Sequence, residues 1–165
     1  MRNDLWDPRD VQVAEVVAKH GWSCQSVEAG GDDPAFVYSV GFPDMGAPEF
    51  IMFGLAPELM HKILWGVFHQ IKGGRLATEG ERWSDLLEGY DCVTMGVHPN
   101  RISEYFGFAM GYHRYRKRRE PWGALQLVWP GAGQGLFPWQ NGCLEDVRTR
   151  QPRLDTPRRR AWTNA

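Results

Sequence analysis

At 165 residues, with 42% apolar and 24% charged side chains, the chain is expected to form one globular domain able to bury its own core, which excludes disorder for most of its length. Three cysteines without paired spacing exclude a disulfide framework and a Cys-x-x-Cys zinc site. No run approaches the roughly 20 apolar residues that a membrane span needs. The net charge of -1 conceals a split: residues 1–100 carry 7 Lys and Arg against 15 Asp and Glu, and residues 101–165 carry 12 against 5, so the two halves should attract one another.

The opening "MRNDLWDPRD" has acids where a signal peptide would have a basic end and an apolar stretch, so a soluble cytoplasmic protein is expected. Asp7 can cap a helix and Pro8 suits its first position. Val11, Ala14, Val17 and Ala18 recur at helical spacing up to Gly21, which predicts a helix over 8–19. "GWSCQSVEA" and "AFVYSVGF" read as strands separated by the turn "GGDDP". "EFIMFGL" is apolar on both faces and belongs near the middle of a sheet. From Pro57 a wide apolar face, running from Leu59 to Ile71, predicts the clearest helix, ended by Gly73-Gly74.

"RLATEGERWSDLLEG" is mixed, suiting a short strand and a turn of helix, and "YDCVTMGV" reads as a further strand. Asn100 suits the cap of a third helix in which Ile102, Tyr105, Phe106, Ala109 and Met110 share one side. Gly107 and Gly111 leave a strip there that another element should approach closely. After the basic run "RYRKRR", "WGALQLVWP" predicts the last strand. The expected organisation is one domain over 1–154 followed by a mobile basic tail over 155–165. The order of elements lacks strict βαβ alternation, so the expected fold class is α+β: a mostly antiparallel sheet, with a barrel as the alternative, packed with about three helices.

No Gly-x-Ser-x-Gly, phosphate-loop or His-Glu-x-x-His pattern is present. His61, Trp65 and His69 follow one stripe of a helix, but the two histidines are about 12 Å apart along its axis, too far for one metal ion. Gln126 lies inside an apolar strand, where an unpaired amide costs about 1–3 kcal/mol, so it must find partners or face an opening. With Tyr38, Trp129 and Trp139 near turns, it suggests an aromatic-lined pocket for a small ligand or partner. An enzyme is the second reading, with Glu49 or His98 as general base and Cys143 as nucleophile. A nucleic-acid or protein interaction module working through Arg114, Arg116, Lys117, Arg118 and Arg119 is the third. Self-association is left open, and no cofactor or metal is assigned.

Several separated segments, "HGWSCQSVEAGGDDPAFVYSVGF", "EFIMFGL", "YFGFA", "ALQLVWP", "FPWQ" and "RQP", resemble in order the bacterial family known as domain of unknown function 4262, over about residues 19–154. The resemblance implies a bacterial cytosolic protein and carries no agreed activity or catalytic residue. Against the pattern expected of such relatives, Gly131 replaces an acid, Gln140 a glutamate and Ala47 a histidine, which weakens the enzyme reading.

Overall fold

The computed structural model describes residues 6–163. Helix α1 (Pro8–His20) begins at Asp7, whose carboxylate accepts from the Arg9 amide at 2.9 Å, and ends at Gly21 in a left-handed conformation. Strands β1 (Ser23–Val27), β2 (Phe36–Val40) and β3 (Glu49–Phe53) follow, with a 3-10 turn at Phe42–Met45 between the last two. Then come α2 (Pro57–Lys72), β4 (Arg82–Leu87), β5 (Tyr90–Gly96), α3 (Pro99–Tyr105), α4 (Gly107–Tyr115), β6 (Ala124–Val128) and α5 (Glu145–Thr149).

The strands form one open six-stranded sheet in the order β1-β2-β3-β6-β5-β4. Every neighbouring pair is antiparallel except β3 and β6, which run parallel. The fold is therefore α+β on a mixed sheet, and the barrel alternative is corrected: β1 and β4 are edges and do not meet. Strands β2, β3 and β6 are buried along their whole length, as the apolar run of β3 predicts for a strand covered on both faces.

Side chains alternate between two cores. Val37, Phe50, Met52, Leu125 and Leu127 face α2, where Met60, Ile63, Leu64, Val67 and Phe68 fill the gap. Phe36, Tyr38, Ile51, Phe53 and Ala124 face Val13 and Val17 of α1, Tyr105, and Ala109 and Tyr112 of α4. Each large apolar side chain so buried contributes roughly 1.5–3 kcal/mol relative to exposure.

The expected third helix is two. Phe106 leaves helical geometry at φ −106°, ψ 42°, so α3 ends there and α4 starts one residue later. The cap of α3 is His98, not Asn100: its Nδ1 accepts from the Asn100 amide at 3.1 Å. Where the mixed segment 75–89 suggested a turn of helix, it supplies β4 alone, bulged where Asp85 takes a positive φ. In all, the described residues hold five α-helices where about three were expected. Of the two glycines in α4, Gly111 meets the expected close neighbour, since a Cβ there would collide with the Asp10 carboxylate of α1. Gly107 has no such contact.

The chain after α5 straps across the sheet. The Gln151 amide pairs with both backbone groups of Trp129, accepting from its N–H at 3.0 Å and donating to its carbonyl at 2.9 Å. Gln126 donates to the Pro152 carbonyl at 2.7 Å, and buried Arg101 donates to the Arg153 carbonyl at 3.1 Å. In the segment expected to be a mobile tail, Thr156 is buried, Arg159 pairs with Asp33 and the Trp162 indole donates to the Gln151 carbonyl.

Candidate functional site

Glu49 is fully buried at the start of β3, and its carboxylate is saturated with donors. Oε1 accepts from the Ser39 hydroxyl at 2.7 Å and the Phe42 amide at 3.2 Å; Oε2 accepts from the Gly41 amide at 2.8 Å and lies 2.9 Å from His113 Nε2. Gly41 reaches this position because its φ of 112° suits glycine alone. Arg118 Nε donates to His113 Nδ1 at 3.0 Å, and a guanidinium has no acceptor to offer. The imidazole therefore carries its proton on Nε2 and donates it to Glu49. Asp44 closes the network by accepting from Arg118 and from the Tyr112 hydroxyl, and Trp122 packs on the imidazole with ring centroids 4.7 Å apart. A carboxylate with four donors and no solvent access is a structural anion. It fastens the turn after β2 and the end of α4 to the head of β3.

A different environment lies where β3 and β6 end. Leaving this parallel pair, the chain diverges: Leu55 leads into α2, whereas Trp129 and Pro130 lead toward α5. Between them opens a crevice of about 320 Å³. Leu55, Leu87, Trp129, Leu144 and Val147 make its apolar walls. Glu88, Asp146 and Arg150 stand at its rim, and Leu144 is 55% exposed although it lies against this apolar surface. Arg150 caps the indole of Trp129 at 5.1 Å and donates twice to the Gly54 carbonyl. Gly54, at φ 84°, admits this approach because a Cβ would strike the Arg150 backbone. The walls are thus held by covalent turns and by the strap, a preformed arrangement of the kind that small ligands occupy.

Of the residues expected to line one aromatic pocket, only Trp129 lines this crevice. Tyr38 and Gln126 lie in one row across the sheet, through Ile51, on the face opposite Trp129. Tyr38 is buried, its hydroxyl accepts from the Phe108 amide at 2.9 Å, and burial pushes its pKa up to about 12. Gln126 is fully buried, with Nε2 satisfied by Pro152 and Oε1 without a partner. Trp139 stacks on Phe137 at 5.0 Å and meets Trp162 at 6.0 Å.

Among the enzyme candidates, His98 caps α3, away from Glu49 in the network. Cys143 is nearly buried, and burial pushes its thiol above the ordinary range, the wrong direction for a nucleophile. Arg118 is consumed by Asp44 and His113, while Arg114, Arg116, Lys117 and Arg119 are exposed. His61 and His69 flank Trp65 as stacked rings, and among the described residues no three His, Cys, Asp or Glu side chains converge where a metal ion could sit. Sequence reasoning did not foresee His113 as the partner of Glu49, 64 residues away, nor Gln151 as the partner of Trp129. Only the quoted "RQP" pointed toward the latter.

The fold and crevice define an α+β protein on an open mixed sheet, with an apolar recess at the one parallel junction between described strands. The chain belongs to the family Domain of unknown function (DUF4262), whose model matches residues 16–144 and so spans the whole sheet. No curated protein and no solved structure matches it. No described helix is long and apolar enough to cross a membrane.

Proposed function

We propose that the protein binds a small, mainly apolar molecule in the crevice between Leu55 and Trp129. The observation carrying this reading is its position: it lies outside the carboxyl ends of β3 and β6, between Leu55, which leads into α2, and Trp129, which leads toward α5. Although Val147 of α5 packs in the same core as α2, the sheet itself leaves the recess between the two connections unfilled, and ligands of open sheets bind outside the carboxyl ends of parallel strands. The volume suits a ligand near the small end of the usual range, and Trp129 supplies a flat wall. Arg150, Glu88 and Asp146 at the rim would orient a polar end of the molecule. The test is titration of the protein with indole and with 1-anilinonaphthalene, read by fluorescence and calorimetry. Saturable binding of either probe, weakened several-fold by Leu144→Asp at unchanged melting temperature, supports the reading. Binding of neither probe, or binding indifferent to Leu144→Asp, removes it.

A further inference from the structure

The basic run left over from the Glu49 network is a built feature, not a loose charged loop. Helix α4 ends in a Schellman turn: the Arg118 amide donates to the His113 carbonyl at 3.0 Å and the Lys117 amide to the Arg114 carbonyl at 2.9 Å. The residue that must adopt the left-handed conformation is Lys117, at φ 53°. Glycine occupies this position at lower cost, and a lysine here keeps a cation where the backbone is strained. Arg118 then turns inward to Asp44 and His113, locking the loop to the core.

With Arg118 fixed inside, Arg116, Lys117 and Arg119 are exposed, and none is hydrogen bonded to or paired with a carboxylate among the described residues. Arg114 acts on Asp10 of α1 and lies outside the bowl described next, and Arg116, which lines it, also acts on the Tyr112 hydroxyl. The loop encloses a shallow bowl of about 320 Å³ lined by residues 116–120 alone, with Glu120 as its single acid. A pre-ordered turn spares the backbone part of the ordering cost on binding, and guanidinium groups match phosphate oxygens in pairs.

We propose that the 116–119 loop binds phosphate polyanions, through three exposed cations carried on a turn that Arg118 fastens to the core. The size of the bowl suits a compact polyphosphate, and the same chemistry is offered by the backbone of a single-stranded nucleic acid.

The experiment titrates the full chain with inorganic tripolyphosphate and, separately, with oligothymidylate, at low and at physiological salt. At least one probe should bind, with affinity falling as salt rises at a slope of about −2 in log–log form for three neutralised phosphates on a single strand. Binding of tripolyphosphate alone assigns the site to free phosphates, and competition between the two probes assigns it to phosphates in general. The variant Arg116→Ala/Lys117→Ala/Arg119→Ala should lose about tenfold or more in affinity. Lys117→Gly is the separating variant, predicted to raise the melting temperature while weakening binding several-fold, a pairing that a merely structural lysine would not produce. Absence of binding by both probes, or equal affinity in the triple variant, overturns the proposal.

Discussion

The head of β3 and its tail, one strand length apart, present opposite kinds of surface. At the head, Glu49, Ser39, His113 and Arg118 are chemically rich and wholly spent, with every strong acceptor of the carboxylate filled by a donor of the fold. At the tail, Leu55, Trp129 and Leu144 are chemically plain and leave a recess unfilled. On the proposed reading, residue type alone ranks the two in the wrong order. A buried glutamate beside a histidine invites a catalytic reading, yet saturation makes it a rivet, while the apolar end retains surface that can still gain by being covered.

The contrast is broken most severely at the head. Glu49→Ala strands the Gly41 amide, the Ser39 hydroxyl and His113 in the core, and breaking such a buried polar cluster should cost about 3–5 kcal/mol in chemical unfolding. Retention of full stability would show that the network is not the rivet described. Next in size is Gln151→Ala, which leaves both buried backbone groups of Trp129 unpaired. A loss of about 2–4 kcal/mol is expected, with weakened binding in the crevice, because the strap positions Arg150 and Val147.

Alkaline titration probes the buried interior without mutation. Burial raises the Tyr38 hydroxyl from 10.0, and the Cys24 and Cys92 thiols from 9.0, each to about 12. The folded state thus favours their neutral, protonated forms, and the unfolded chain releases those protons first. Stability from these groups is intact below pH 9 and should fall progressively between about pH 9 and 12. A denaturant midpoint independent of pH over that window would contradict their burial. The smallest effect is expected for Gln126→Leu: one bond to Pro152 is lost and an unpartnered Oε1 is removed, for a net change within about 1 kcal/mol and no change in crevice binding. A large loss of binding would move the site to the opposite face of the sheet.

Local signals in the sequence were faithful where structure is local. Asp7, Pro8 and Gly21 bound α1, Pro57 opens α2, and the double-sided apolar run of β3 sits in the sheet interior. The break at Phe106 escaped the periodicity because Tyr105, Phe106 and Ala109 are all buried in one core despite the change of helix axis. The parallel register of β3 with β6 escaped it for a different reason: the pair is closed by contacts more than 70 residues apart, such as Glu49 opposite Ala124. For Gln126, expected to find partners or face an opening, Nε2 finds a carbonyl of the strap while Oε1 is buried without a partner. The crevice was legible only through Trp129, since Leu55, Leu87 and Leu144 carry no polar mark and gain meaning from their position beside it.

The most direct measurement of the central claim, that the open end of β3 and not its riveted head holds the ligand site, is amide and indole chemical-shift mapping during an indole titration. The account predicts saturable shifts at Leu55, Leu87, the Trp129 indole, Leu144 and Val147, with Ser39, Gly41, Glu49 and His113 unmoved. Shifts confined to the Glu49 network, or spread without saturation over the surface, would contradict it.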